Sequence, residues 1–572
     1  MMKKKCFISF YGPIILAVMV ILFFPYQLRS EAISSDESKY LMLSERIAEE
    51  PSLLFTETAW NEKPPLVISL AALFSPIFGT LLAFRIVVLA FGIGGIFLMW
   101  SLVEQSILDK REKIFKPWLG FIASSILLFN TWYSVYSNKN MLDVPLIFFF
   151  ILTAYFTVRY HQTKSTKDIM IASLAVIGGL LTKYVGILLV PVLLTGILIS
   201  LKKMKKKHWP AMIISLLAIC TITFLLTKDL IFKYLGFLTP RIFKHYFMLN
   251  INTPIDLLLS YNPIKNDILI VAIFVIFFTY IVYLMRKTNR YGHYTFLLVW
   301  ISSIFIFRVF FGRPERPRFF LPMLPTIILL LILIVYDSVK LFPLLKKLKW
   351  PAAIILISLF AFQTMQTTKL HSYLDAQYSG FKEAGEWLSK NAEQDSIIYT
   401  GSTQAILYYS GLKSLKDGGN LYLPKATMHC TIPKDGLDKE HENKTAYLQM
   451  DFREDAQTIY KKGFKYDKYI AANNYIIVHV VYATQPAWTN PPRKDQVQFL
   501  KDAGLEPYKI IPGKGNPIYV PADKKIYNVL DKEGFRKASS IRDYIEFALK
   551  DPKDDWQIYQ PIILIFKMDP KA

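Results

Sequence analysis

Residues 34–66 read SSDESKYLMLSERIAEEPSLLFTETAWNEKPPL. This stretch opens on the acidic pair Asp36 and Glu37 and closes on Glu62, Lys63, Pro64 and Pro65. It directly follows a first apolar run and precedes a second, PPLVISLAALFSPIFG, at roughly 65–80. A membrane-spanning helix needs about 20 mostly apolar residues. The second run is shorter than that and carries proline near both ends. Whether it crosses the bilayer sets the side on which every later loop lies.

Working outward, further apolar runs follow at roughly 82–104, 117–133, 144–160, 169–182, 185–201, 210–227, 267–285, 293–311, 319–337 and 350–367, and the first lies at roughly 10–27. Basic residues decide their orientation, because cytoplasmic loops carry the excess of Lys and Arg. Lys3, Lys4 and Lys5 place the N-terminus inside. The later basic segments are Lys110–Lys116, Arg159–Lys167, Lys202–Lys207, Arg286–Arg290 and Lys340–Lys349. All fall on one side only if the 65–80 run is an interfacial or re-entrant helix. This predicts a polytopic α-helical membrane protein with about 11–13 transmembrane helices, the positive-inside argument favouring about 11 crossings. The first run is long for a signal peptide, and no small-residue cleavage site follows it. We read it as an uncleaved first helix.

Composition agrees. Hydrophobic residues make up 53% of the 572 and charged residues 19%, with a mean hydropathy of +0.30. The net charge of +23 would suggest nucleic acid in a soluble protein, but here much of it sits in short loops between apolar runs. No nucleic-acid motif accompanies it, so no nucleic-acid partner is expected. Cys6, Cys220 and Cys430 are scattered and form neither a disulfide framework nor a zinc pattern. The eight histidines show no metal spacing. No P-loop, glycine-rich nucleotide fingerprint or nucleophile elbow occurs.

This topology puts 28–81, 134–143, 228–266, 312–318 and the turn at Lys183 on the external side. Charges at membrane depth are costly and by default point to function. Asp36 and Glu37 offer a carboxylate to accept a proton from a hydroxyl or to bind a metal. The ordinary alternative is a helix start, with Ser34 or Ser35 capping the amphipathic run that follows. Lys63 can hold a lipid phosphate as a point charge, while Pro64 and Pro65 fix the chain direction. Asp143, before Val144 and Pro145, either caps a helix or adds a carboxylate to the surface carrying Asp36 and Glu62. Lys183, in a tight hairpin, either snorkels or approaches a phosphate from the membrane side. Arg313, Arg316 and Arg318 lie outside against the charge trend, which a phosphate ligand explains better than topology.

From about 368 the long apolar runs vanish. FKEAGEWLSKNA reads as an amphipathic helix, and SIIYTGS, YIIVHVVYA and QPIILIFKM as strands. The predicted division is a membrane domain at 1–367, with a catalytic first external loop at 28–81, and a soluble extracytoplasmic α/β domain at 368–572.

Taken together, these pieces resemble the GT-C superfamily of membrane glycosyltransferases. They are most similar to bacterial relatives of the protein O-mannosyltransferases and lipid A aminoarabinose transferases. The resemblance rests on D-E-x-x-Y at Asp36, Glu37 and Tyr40, and on E-K-P-P-L at Glu62 to Leu66. It continues through M-L-D-V-P around Asp143, L-T-K ending at Lys183, and R-x-R-F-F-L-P-M-L-P from Arg316 to Pro325. EWLSKN at Glu386 to Asn391 and YYSG at Tyr408 to Gly411 extend it into the tail. It implies a polyprenyl-phosphate-linked sugar donor, used on the outer face of the cytoplasmic membrane, and a lipid, glycan or protein acceptor. A lipid phosphate is a good leaving group and needs cations rather than an acid. The acceptor hydroxyl needs a base, and one carboxylate suffices. Asp36 is then the expected base, supported by Glu37, Glu62 and Asp143, with Lys63, Lys183, Arg316 and Arg318 on the phosphate. Direct displacement would invert the anomeric carbon. The carboxylates leave a divalent metal open, and no other cofactor is expected. A transporter or flippase for lipid-linked saccharides is the competing reading, although no internal repeat or pair of broken helices supports it. A non-catalytic assembly protein would leave the carboxylates unexplained.

Overall fold

Long apolar runs become helices because each satisfies its own backbone hydrogen bonds, the condition for lying in lipid. The computed structural model describes residues 7–23, 28, 30–31, 33–55, 64–107, 115–200, 217, 221, 267–311, 317–342, 349–377, 380–391, 398–400, 403–410, 474–480, 509–512, 518–521, 536–537, 556–558 and 562–568. Its contacts divide the chain into two compact units, Met1–Leu28 with Leu43–Thr368, and Arg29–Met42 with Lys369–Ala572.

The first unit is helical. Helix α1 spans Phe7–Phe23 and α2 Ser35–Glu49, the latter beginning in the other unit. The 65–80 run forms α3, Leu66–Phe78, and α4 follows at once as Thr80–Ser106. Between them Gly79 takes φ +74°, a left-handed conformation that a side chain would strain. At 13 residues, α3 is about 20 Å long, short of a hydrocarbon core about 30 Å thick. It is two-faced: Val67, Ile68, Ala71 and Ala72 are buried, while Leu73, Phe74, Ile77 and Phe78 are exposed.

The expected span at 117–133 differs from a simple crossing. It is α5, Phe115–Phe129, followed by α6, Thr131–Ser137, with a bend of 68°. Asn130 causes the break: its backbone is extended, and its side chain accepts a hydrogen bond from Tyr133 N–H to cap α6. Among the described residues the later helices of this unit are α7 (Asp143–Thr163), α8 (Thr166–Thr182), α9 (Leu189–Ser200), α10 (Asp267–Thr288), α11 (Tyr291–Phe311), α12 (Leu324–Leu341) and α13 (Lys349–Gln377). Helix α13 runs on past the unit boundary. The expected span at 210–227 lies outside the described residues apart from 217 and 221.

Among the described residues three helices are long and apolar enough to cross a membrane, or four if α5 and α6 form one bent span, and shorter apolar helices accompany them. Large side chains such as Ile21, Leu73, Leu174, Ile276, Val335 and Ile355 are exposed, as expected where lipid replaces water as solvent. The chain is a multi-pass membrane protein.

Inside the unit, small residues set the packing. The FGIGGIF run of α4 lets α6 approach closely: a Cβ on Gly92 would meet Ser137 Oγ at 2.8 Å, and one on Gly95 would meet Tyr133 Oη at 2.5 Å. Tyr133 Oη donates to Gly92 O at 2.8 Å. On the other side of α6, Thr131 Oγ1 donates to Gln363 Oε1 of α13 at 2.6 Å. Phe150 of α7 stacks on Trp300 of α11 with centroids 5.7 Å apart.

Among the described residues the second unit contains α14 (Phe381–Asn391), α15 (Thr403–Ser410) and seven short strands. Strands β1 (Ile398–Thr400), β2 (Asn474–Val480), β3 (Lys509–Pro512) and β7 (Ile562–Met568) form a sheet ordered β1-β2-β7-β3. The β1–β2 pair is parallel. β2 and β3 run antiparallel to β7, with Ile477 opposite Ile565 and Ile510 opposite Leu564. Strands β4 (Ile518–Pro521), β5 (Arg536–Lys537) and β6 (Trp556–Ile558) form a smaller antiparallel sheet. Glu31, from the segment before α2, joins this unit through Lys382 Nζ at 2.5 Å, and its carbonyl accepts from Tyr409 Oη.

Candidate functional site

The site is built from the ends of helices. Helix α6 ends at Ser137, and the loop Asn138-Lys139-Asn140-Met141-Leu142 delivers Asp143 to the first turn of α7. Asn138, Lys139, Asn140 and Asp143 are all buried, an unusual density of polar groups for a connection in a membrane bundle. Hydrogen bonds hold the loop: Asn138 Nδ2 donates to Ser134 O at 3.0 Å, and Met141 N–H to Lys139 O at 2.7 Å.

Helix α8 returns antiparallel and ends at Lys183, whose backbone turns extended and whose N–H still donates to Gly179 O. The chain then folds back as the short 3-10 helix Tyr184–Leu188. Gly186 is required there, since a Cβ would lie 2.4 Å from the carbonyl carbon and oxygen of Gly179. Lys183 Nζ consequently reaches Asp143 Oδ1 at 2.7 Å, with side-chain exposures of 17% and 4%. The pair is electrostatically doubly favoured. Asp143 sits at the positive N-terminus of one helix and Lys183 at the negative C-terminus of its neighbour. A mirrored pair closes the opposite end of the hairpin, where Arg159 Nε lies 3.2 Å from Asp168 Oδ1. Asp168 also accepts from Thr163 Oγ1 at 2.5 Å.

The acidic pair at the start of α2 is divided by geometry. Ser34 N–H donates to Glu37 Oε2 at 2.9 Å, and Glu37 N–H donates to Ser34 Oγ at 3.3 Å. This is a reciprocal capping box, so Glu37, almost fully buried, has the structural task foreseen for this serine-acid start. Asp36 beside it is half-buried. Glu62, Lys63, Arg313 and Arg316 lie outside the described residues, and for Arg318 the backbone alone is described, in the 3-10 helix Pro317–Met323. Among the described residues, Asp143 and Lys183 are brought into direct contact. Asn140 and Asp168 were missed by the sequence reading. The N-K-N run ahead of Asp143 was a signal for the first, and an acid opening a helix after a basic loop was a signal for the second. Among the described residues no group of three or more His, Cys, Asp or Glu is placed to hold a metal.

The fold of this bundle is one that solved membrane-protein structures share. Residues 62–226 match the family described as dolichyl-phosphate-mannose-protein mannosyltransferase. The crystal structure of ArnT from Cupriavidus metallidurans in the apo state is similar over 87% of this chain and 96% of that one, with 14% identity and a TM-score of 0.51. ArnT from the same organism bound to undecaprenyl phosphate matches over 70% of this chain and 84% of that one, with 14% identity and a TM-score of 0.47. No curated protein matches the sequence.

Proposed function

We propose that this chain is an inverting glycosyltransferase that moves a sugar from a polyprenyl-phosphate donor to an acceptor hydroxyl at the outer face of the cytoplasmic membrane. The observation that carries the reading is the part-buried Asp143–Lys183 pair, which lies within the segment matching the family described as dolichyl-phosphate-mannose-protein mannosyltransferase. A cation held at the end of a membrane helix suits a lipid phosphate, whose head must meet charge at the bilayer edge. In the reaction the bond between the anomeric carbon and the phosphate oxygen breaks, and its electron pair stays on the departing polyprenyl phosphate. The acceptor oxygen bonds the same carbon from the opposite side, and its proton passes to a carboxylate.

Asp36 is assigned as that base, with Glu62 and Asp143 orienting the acceptor or sugar, and Glu37 acting through the helix start it caps. Lys63, Lys183, Arg316 and Arg318 are assigned to the phosphate, where they stabilise charge on the leaving group. One base and a cation cluster are sufficient, because the leaving group needs no acid. The membrane domain at 1–367 carries the chemistry with its 28–81 loop, and the α/β domain at 368–572 is extracytoplasmic.

The test is a mass comparison of envelope glycolipids and glycoproteins from cells with the chain intact, deleted, or carrying Asp36→Asn. Loss of one sugar-sized mass in both altered strains supports transfer and identifies sugar and acceptor together. Loss on deletion alone would sink the assignment of Asp36 and favour a transporter of lipid-linked saccharides.

A further inference from the structure

The stretch that carries Asp36 is held by residues far along the chain. Arg29–Met42 and Lys369–Ala572 form one compact unit, so the first turn of α2 belongs with α14 and α15. The hold falls on one residue. Lys382 Nζ of α14 lies 2.5 Å from Glu31 Oε1, and Tyr409 Oη of α15 donates to the Glu31 carbonyl. Glu31 is thus fixed through its side chain by one helix and through its backbone by another.

Both donors reach it because α14 and α15 pack closely. Gly385 allows this: a Cβ there would stand 2.6 Å from Tyr409 Cβ and 2.9 Å from Ser410 N. Phe381, Ala384 and Leu388 of α14 and Ala405 and Ser410 of α15 are buried, which makes the two helices a firm support. From Glu31 the hold passes along the chain. Ile33 is fully buried. Ser34 makes the capping box with Glu37, and its carbonyl accepts from Ser38 N–H at 2.9 Å and Ser38 Oγ at 2.8 Å. Asp36 lies among these fixed neighbours, and the five steps from Glu31 reach at most about 18 Å even when extended. As stability the two contacts count for little, since an exposed ion pair contributes little. What they supply together is direction.

We propose that Lys382 and Tyr409 are positioning residues, which aim the first turn of α2 so that the Asp36 carboxylate meets the acceptor hydroxyl. This role rests on the assignment of Asp36 as the base. A base works only within hydrogen-bond reach of the proton it takes, and a misplacement of about 1 Å can cost about a hundredfold in rate. Losing one hydrogen bond and one exposed ion pair should lower turnover by about 5- to 30-fold. Donor binding, assigned to other residues, should not change.

The test compares the full-length protein with Tyr409→Phe and with Tyr409→Phe plus Lys382→Ala. Hydrogen exchange is followed at the start of α2, and binding of undecaprenyl phosphate is titrated. Turnover is timed in spheroplasts, whose outer face meets the buffer, as gain of the sugar-sized mass per folded protein. In the double variant exchange at Glu37 and Ser38 should speed up, and turnover should fall by about 5- to 30-fold. Affinity for undecaprenyl phosphate should stay as in the unaltered protein, and Lys382→Arg should keep full turnover. Unchanged exchange at α2, or full turnover despite faster exchange, would overturn the positioning role while sugar transfer by the unaltered protein stands. Undecaprenyl phosphate binding that weakens in step with turnover would overturn it too, as a general loss of structure. If the unaltered protein transfers no sugar, the assignment of Asp36 fails first and the positioning role falls with it. Tyr409→Phe removes a single hydroxyl from a half-buried side chain, so the comparison stands even if the double variant does not fold.

Discussion

Replacing Lys183 by Met tests the centre of the site, because it removes a cation while keeping most of the side-chain volume. The 2.7 Å bond to Asp143 disappears, leaving a carboxylate that is 4% exposed. Removing one partner of a buried pair typically costs about 3–5 kcal/mol. Two features reduce that here. Lys183 is 17% exposed, so the pair is not fully desolvated, and the N-terminus of α7 still stabilises the Asp143 carboxylate by about 0.3–1 kcal/mol. The expected loss is therefore about 2–3 kcal/mol. Asp143→Asn, which removes the charge but keeps the shape, should cost a similar amount by taking the carboxylate away from Lys183. The double variant should regain most of the loss, giving a coupling of about 1–3 kcal/mol in the cycle. Thermal unfolding of all four proteins in one detergent measures the stability side, and under the proposed function sugar release from a polyprenyl-phosphate donor measures turnover. Stability should return in the double variant and turnover should not. Additive losses, with coupling below about 0.5 kcal/mol, would refute the reasoning that the pair is an energetic unit.

Three further outcomes follow from the same geometry. Gly95→Ala places a methyl 2.5 Å from Tyr133 Oη and should cost about 1–3 kcal/mol by overpacking; Tyr133→Phe in the same chain should recover part of it, read as a rise in melting temperature. Ser34→Ala opens the capping box and should lower stability by about 0.5–2 kcal/mol, with amide exchange speeding up in the first turn of α2. Lys382→Ala breaks an exposed pair with Glu31 and should cost only about 0.2–1 kcal/mol. The hydrogen bond to Glu31 raises the Lys382 pKa above its ordinary 10.5. Its contribution is thus fully present at neutral pH and lost as pH rises through the folded value, so wild type and Lys382→Ala should converge in stability under strongly alkaline conditions.

Much of the helical frame was legible because apolar length is a strong signal, and α4, α7 and α12 fall where long apolar runs predict them. The break at Asn130 was not, since an asparagine inside an apolar run has the same local signature whether it caps a new helix or faces a neighbour. Asp143 and Lys183 were each singled out by charge at a membrane edge. Their pairing could not be read, because it depends on α7 and α8 lying side by side with one starting where the other ends. Glu37 is the converse: a serine cap ahead of the acids was expected at Ser34 or Ser35, and Ser34 forms it, with Glu37 bonding back.

The hairpin of α7 and α8 carries an ion pair at each end, Asp143–Lys183 and Arg159–Asp168. The sixteen helical steps from Asp143 to Arg159 set these charges about 24 Å apart, somewhat less than the thickness of a typical hydrocarbon core. Neither pair can move toward the bilayer midplane without carrying charge into oil. The hairpin is thus a ruler for its surroundings, favouring membranes that are locally thin or a helix axis that stays upright. Reconstitution into lipids of graded chain length should show an optimum on the short side, set by two ion pairs rather than by any contact with substrate.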